Sequence, residues 1–224
     1  MAQDKREFKL APSILSSDFS ILGQQIKEAE KGGAKVLHID VMDGRFVPNF
    51  TFGALLVKTI RKCSDMFYDC HLMVERPYDF IDAFYKAGAD NITVHYEALG
   101  DETGKALEYI RSLGIKAGLS ISPDTPVEVI APYKDKVDMV LIMSVYPGFG
   151  GQKFIPKSLE RIAAVREMTK DYDVDIEVDG GVYDENIKTV VDAGANVIVA
   201  GSAVFGKENI AQAAKALIEA ATNE

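Results

Sequence analysis

Two periodicities alternate along the chain. Short apolar runs rich in β-branched residues, at 9–13, 35–40, 66–71, 91–95, 115–120, 139–143, 174–179 and 197–200, predict eight strands. Between them, apolar residues recurring three or four apart predict helices over 21–31, 53–62, 78–87, 104–113, 156–170, 184–193 and 209–221, with a weaker helix over 126–133. Several helices run into glycine before the next strand, as in Gly32-Gly33-Ala34, Ala87-Gly88-Ala89 and Ala193-Gly194-Ala195, where glycine supplies the left-handed conformation that ends a helix. Strands alternating with helices from end to end predict a parallel sheet with helices packed outside it. Spread over 224 residues, eight units leave about 28 residues each, close to the minimum for a strand, a helix and two turns. The expected fold is therefore α/β, a single-domain TIM (β/α)8 barrel over residues 1–224. An open doubly wound sheet would place a glycine fingerprint after the first strand, where this chain has Ser16-Ser17-Asp18.

In a barrel of this kind chemistry lies at the C-terminal ends of the strands. Two of the three histidines, His38 and His71, fall there, each within two residues of an aspartate. Alternation puts His38, Asp40 and Met42 on one face of the second strand and Asp69, His71 and Met73 on one face of the third. The seventh strand ends in Glu177-Val178-Asp179-Gly180-Gly181. Neutral imidazole and carboxylate together suit a divalent first-row ion, so His38, Asp40, His71 and Asp179 are candidate ligands for zinc, iron(II), manganese or cobalt. The third histidine, His95, has no carboxylate at the right parity within its strand and is expected to be structural. By parity Asp69, Glu177 and Lys116 all point inward, which predicts a charged layer beneath the ligands.

Glycine loops supply a second constellation. Pro147-Gly148-Phe149-Gly150-Gly151-Gln152, Gly180-Gly181 and Gly201-Ser202 follow the last three strands, where converging backbone N–H groups make a phosphate site in this fold. Met42, Met73 and Met143, also at strand ends, are candidates for a pocket wall that excludes water. With 25 basic against 34 acidic side chains the net charge is −9, which disfavours nucleic acid as a partner and points to a small anionic substrate. The two cysteines make no disulfide framework, and Cys70, at opposite parity to His71, reads as a buried inert thiol. The N-terminal residues 1–7 are polar, unlike a signal peptide, and no apolar stretch is long enough to span a bilayer, so a cytoplasmic protein with no membrane partner is expected.

The chain resembles the ribulose-phosphate 3-epimerase family over nearly its whole length. The matching segments are Ala11-Pro12-Ser13-Ile14-Leu15, the run from His38 to Asn49 reading HIDVMDGRFVPN, Asp69-Cys70-His71-Leu72-Met73-Val74, the Pro147 to Gln152 loop, Glu177-Val178-Asp179-Gly180-Gly181 and Gly201-Ser202-Ala203-Val204-Phe205. The resemblance implies interconversion of D-ribulose 5-phosphate and D-xylulose 5-phosphate in the pentose phosphate route, through proton transfer at C3. It implies that His38, Asp40, His71 and Asp179 hold the metal and that Asp40 and Asp179 are the acid/base pair. Ser13, His71, Asp179, the Gly148-Phe149-Gly150-Gly151 loop, Gly180, Gly181, Gly201 and Ser202 would contact substrate, and Met42, Met73 and Met143 would cap the intermediate. A homo-oligomer is also implied. The alternatives are an epimerase of a six-carbon ketose phosphate such as allulose 6-phosphate, a decarboxylase or Schiff-base aldolase on the same barrel, and a non-catalytic phosphate-binding barrel. The aldolase and decarboxylase readings expect a lysine at a strand end, and the predicted strand ends carry none.

Overall fold

The computed structural model describes residues 6–222. Residues 1–5, most of the polar N-terminal segment, and residues 223–224 lie outside the described residues. The strands are β1 (Lys9–Ala11), β2 (Val36–Met42), β3 (Phe67–Met73), β4 (Asn91–His95), β5 (Lys116–Ile121), β6 (Met139–Met143), β7 (Asp175–Asp179) and β8 (Val197–Val199). All pair in parallel, β2 to β8 each with its neighbours in sequence, and β1 with β8. The circle closes where Ser13 bridges to His38 and the His38 N–H donates to the Pro12 carbonyl at 3.0 Å. Around the sheet run α1 (Leu22–Lys31), α2 (Ala54–Ile60), α3 (Tyr78–Ala87), α4 (Tyr96–Leu99), α5 (Thr103–Ser112), α6 (Ser158–Met168), α7 (Ile187–Asp192), α8 (Ser202–Phe205) and α9 (Ile210–Thr222). The (β/α)8 barrel expected from the alternation is the observed fold.

The departures from expectation have local causes. β1 stops at Ala11, because Pro12 has no N–H for the ladder and the chain turns into a 3₁₀ segment, Ile14–Ser16. β2 and β3 run two residues beyond the predicted ends, to Met42 and Met73. The weak helix at 126–133 is a 3₁₀ segment, Val127–Tyr133, interrupted by Pro132. α4 and α8, four residues each, are too short to leave a periodic signal. No helix among the described residues is long and apolar enough to cross a membrane.

The main core lies between sheet and helices. Outward-facing strand residues such as Leu37, Ile39, Cys70, Leu72, Ile92 and Val94 pack in one continuous cluster with Ile26, Val57, Ile81, Leu107, Ile162, Val190 and Leu217 of the helices. Each such side chain contributes about 1.5–3 kcal/mol by leaving water, so this shell stabilises the barrel while the interior is free to be polar. Cys70 belongs to the shell, fully buried and unpaired, as its parity predicts. A second apolar cluster joins Val36, Met139 and Val197, which open their strands, to Ala11 and Val199, which close β1 and β8.

The expected charged layer divides in two. Asp69 and Glu177 meet inside the barrel, but Lys116 is the first residue of β5 and emerges at the opposite mouth, 48% exposed, with Nζ 3.8 Å from Asp175 Oδ2. Parity fixes the face of a strand and not the height of a residue along the barrel axis, and tilted strands spread equal parities over different heights. At that mouth Asp175 also accepts from Lys9 Nζ at 2.8 Å and Asn196 Nδ2 at 2.7 Å. Burial alone would push the Asp175 carboxyl up; the hydrogen bonds from Lys9 and Asn196 and the two lysine charges hold it below the usual carboxylate range. A lowered carboxylate contributes stability above its unfolded pKa and loses it as pH falls through the folded value. Asp175→Asn is therefore expected to cost about 1 kcal/mol at neutral pH in denaturant melts, with the gap to the unsubstituted protein closing on acidification.

Candidate active site

The site is built from strand register. Pairing of β2 with β3 sets His38 opposite Asp69, Asp40 opposite His71 and Met42 opposite Met73, all on the inner face. β7 brings Glu177 and Asp179 to the same interior, and Ser13 enters from the end of β1. One ligating atom from each of His38, Asp40, His71 and Asp179 lies within 4.8 Å of the others, so the four candidate ligands converge.

Hydrogen bonds orient His38, Asp40 and His71. His38 Nδ1 is 2.7 Å from Asp69 Oδ2, and its Nε2 is 3.2 Å from Asp40 Oδ1. His71 Nδ1 is 3.1 Å from that same oxygen. The Ser13 hydroxyl donates to Asp40 Oδ2 at 2.5 Å. Beneath them Asp69 Oδ1 accepts from Asn91 Nδ2 at 2.6 Å and from the Thr93 hydroxyl at 3.3 Å. The layer expected beneath the ligands thus contains Asp69, Glu177, Asn91 and Thr93, without the lysine.

Burial and charge set opposite protonation states along this cluster. Burial would raise Asp40, but the charge of His38 and its hydrogen bond outweigh it and hold the carboxyl well below its usual range. Asp179 lacks such partners, and burial, reinforced by the negative charge of Asp40, pushes it up to about 7. His71 is brought down to about 4, chiefly by burial, and is neutral. Burial also opposes charge on His38, yet the surrounding Asp40, Glu177 and Asp69 carboxyls push it well above its ordinary value. Glu177, buried beside Asp69, is raised far above the usual carboxylate range and is a neutral acid.

The donor set fits a divalent cation. Asp69 is held below its ordinary value, with burial opposed chiefly by the His38 hydrogen bond, so it is an acceptor and His38 donates to it from Nδ1. His38 Nε2 is thereby turned to the site. The 3.2 and 3.1 Å spacings from the two imidazole nitrogens to Asp40 Oδ1 are close enough for all three atoms to hold one ion, with Asp179 converging on them. A cation here replaces the proton that His38 Nε2 otherwise holds.

Above the cluster opens a cleft lined by Ser13, Asp40, Asp179 and all three candidate methionines, Met42, Met73 and Met143. Gly148, Phe149, Gly150, Gly151, Gly180, Gly181, Gly201 and Ser202 form the rest of its predicted wall. His38 and His71 are fully buried below it. Glycine is required at 181, where φ is +66° and a Cβ would stand 2.3 Å from the Phe154 nitrogen. Met42 and Met73 pack with Val47, and Phe46 lies against His95 with ring centroids 4.8 Å apart. These contacts explain the length of the HIDVMDGRFVPN run. Asp43 accepts the N–H groups of Arg45, Phe46 and Glu75, folding the segment over the barrel mouth, and Asn49 Nδ2 donates to the Gly148 carbonyl at 2.7 Å.

Residues that sequence reasoning missed lie one contact away. Tyr183 Oη is 2.9 Å from Ser202 Oγ, and Ser16 lines the cleft beside Gly201. The expectation that His95 lacks a carboxylate is corrected, because its Nδ1 is 2.9 Å from Glu97 Oε2. The chain turns into α4 after His95, which brings a residue beyond the strand end back to the ring. Asp69→Asn removes the negative acceptor behind His38 while keeping side-chain volume. Divalent-metal affinity, read by chelator competition, is expected to fall roughly 10–100-fold with the circular dichroism spectrum unchanged.

With this geometry in place, comparison with known proteins is informative. The profile of the ribulose-phosphate 3-epimerase family matches residues 9–205. A ribulose-phosphate 3-epimerase of Bacillus subtilis (strain 168) is 51% identical over 204 residues, covering 90% of this chain and 94% of the relative. One of Synechocystis sp. is 49% identical over 207 residues, covering 91% and 90%. Among solved structures, 3-keto-L-gulonate-6-phosphate decarboxylase from Vibrio cholerae superposes with a TM-score of 0.72 at 16% identity, covering 97% of this chain and 98% of that one, a likeness of fold alone. By the extent of the profile match and the identity to full-length relatives, the chain belongs to the ribulose-phosphate 3-epimerase family.

Proposed function

We propose that this chain interconverts D-ribulose 5-phosphate and D-xylulose 5-phosphate by moving a proton at C3, with Asp40 and Asp179 as the acid/base pair. The observation that carries the assignment is geometric: two carboxyls from separate strands, Asp40 of β2 and Asp179 of β7, converge with two imidazoles and both line the cleft. An ionised carboxylate takes the C3 proton from one face, and a protonated one returns a proton to the opposite face. The C–H electron pair passes into an enediolate in between, and the reverse reaction exchanges the two roles. His38, Asp40, His71 and Asp179 would hold one divalent ion, zinc, iron(II), manganese or cobalt, whose positive charge stabilises the negative charge on the enediolate oxygen.

The remaining residues hold the substrate. Ser13 fixes one oxygen of Asp40 by its hydrogen bond, leaving the carboxylate little rotational freedom. Met42, Met73 and Met143, each at most 3% exposed, surround the reacting centre with apolar surface and keep water from it. The Gly148 to Gly151 loop, Gly180, Gly181, Gly201 and Ser202 would take the phosphate through backbone N–H groups and the Ser202 hydroxyl, which Tyr183 orients. Large apolar side chains in the open, Phe50 at 76% and Leu55 at 79% exposure, support a homo-oligomer. Two free cysteines favour a reducing, cytosolic setting.

In deuterated water the metal-loaded protein is expected to form D-xylulose 5-phosphate carrying deuterium at C3, followed by NMR. Turnover of D-allulose 6-phosphate should be well below that of D-ribulose 5-phosphate. Asp40→Asn and Asp179→Asn are each expected to lower kcat by at least about a thousandfold. Near-normal exchange in either variant would remove that carboxyl from the acid/base pair.

A further inference from the structure

His95 and Glu97 lie outside the candidate ligand set, yet they continue it in a single row. His71 Nε2 stands 2.8 Å from His95 Nε2, and His95 Nδ1 stands 2.9 Å from Glu97 Oε2. Both imidazoles are fully buried and stacked, with ring centroids 5.0 Å apart. The outer end of the row is anchored to the loop after β5, where Glu97 Oε1 accepts the Ser122 N–H at 2.7 Å and the Thr125 hydroxyl. The carbonyls of those two loop residues are in turn held by the Arg161 guanidinium of α6, at 2.8 and 2.7 Å.

The direction of the hydrogens is fixed from this outer end. Glu97 faces donors on both oxygens; burial opposes its ionisation, but hydrogen bonds from His95, Thr125 and Ser122 bring it down to about 2, so it is a carboxylate that only accepts. His95 must therefore donate from Nδ1. One hydrogen fits between two nitrogens 2.8 Å apart, and His95, with its hydrogen committed to Glu97, offers a bare Nε2. His71 then donates from its own Nε2, which leaves its Nδ1 bare and directed at Asp40 Oδ1, 3.1 Å away. Two acceptors that close repel each other, unless both are ligands of one positive ion.

We infer that His95 and Glu97 are positioning residues, which hold His71 in the Nε2–H tautomer and so present its Nδ1 to a divalent cation. This rests on the reading of His38, Asp40, His71 and Asp179 as the ligand set. The sequence masks the arrangement, because Glu97 belongs to α4 and not to the strand that carries His95.

The test uses the full-length protein with Zn²⁺ as the probe. His95→Phe keeps an aromatic ring but removes the acceptor, and His95→Gln returns an oxygen acceptor to the same place. His95→Phe is expected to weaken Zn²⁺ binding roughly 10–100-fold in chelator competition, and His95→Gln to recover part of the loss. In Zn²⁺-loaded protein labelled with ¹⁵N-histidine, the His71 ring should carry its hydrogen on Nε2 and none on Nδ1, a readout that does not depend on any variant folding. A hydrogen on His71 Nδ1 in the loaded protein, or Zn²⁺ affinity unchanged in a folded His95→Phe protein, overturns the inference. His38→Ala separates the two levels. If that variant binds Zn²⁺ as tightly as the unsubstituted protein, the ligand set is wrong and the inference falls with it. If it loses Zn²⁺ while His95→Phe keeps it, the positioning role alone fails.

Discussion

The register between β2 and β3 is the constraint on which the rest of the site depends. It places a carboxylate opposite an imidazole twice in succession, Asp69 against His38 and His71 against Asp40, with Met42 against Met73 one level above. A slip of one residue would turn all of one strand's functional side chains toward the helices. What prevents it is the other face of the same strands, where Leu37, Ile39 and Val41 on β2 and Tyr68, Cys70 and Leu72 on β3 are buried in the outer shell. Hydrophobic burial outside the barrel and ligand geometry inside it are therefore one choice, fixed by a single alternation.

A buried cluster of this size carries a cost that the interior must offset. His38, Asp40, Asp69, His71, His95 and Glu177 are all 0–3% exposed, and an uncompensated charge at such depth is strongly destabilising. Most of them are compensated in pairs of opposite character. Glu177 is the exception: His38 Nδ1 lies 3.2 Å from its Oε1 but spends its hydrogen on Asp69, at 2.7 Å, so no cation is committed to Glu177. The interior accommodates it by keeping it protonated, since a second negative charge beside Asp69 would have no counterion. Glu177 thus lies directly behind the candidate ligand His38, where a bound cation would add the positive charge that the row of carboxyls lacks.

Much of this was legible in the sequence, for reasons that also mark the limits of such reading. Strand alternation alone identified His38, Asp40, His71 and Asp179 as candidate ligands at one end of the barrel, because parity in a strand is rigid and one barrel face carries chemistry. The same rule misplaced Lys116, whose parity was right and whose height was wrong. It also missed the Glu97 partner of His95, because that contact depends on how the chain turns after the strand has ended. Contacts of Tyr183 with Ser202 and of Asn49 with Gly148 were invisible for a similar reason, each joining loops from different strands of the barrel. The 3₁₀ segment Val127–Tyr133 was mistaken for a helix because its apolar spacing survives where Pro132 breaks regular hydrogen bonding.

Proton transfer on two faces of one carbon demands that chemically similar acids occupy opposite states at the same pH. Here the difference comes from neighbours and not from residue type. Asp40 faces the His38 imidazole and accepts from the Ser13 hydroxyl, and these stabilise its negative charge despite its depth. Asp179, half-buried at the cleft and without the imidazole hydrogen bonds, feels desolvation and the charge of Asp40 together, and both push it up. The row of His71, His95 and Glu97 belongs to the same division. By committing the single hydrogen of His71 to Nε2, it leaves Nδ1 bare beside Asp40 Oδ1, where both could hold one cation. On the proposed mechanism, symmetry of residue type with asymmetry of surroundings would let either carboxyl act as base in one direction of an epimerisation and as acid in the other.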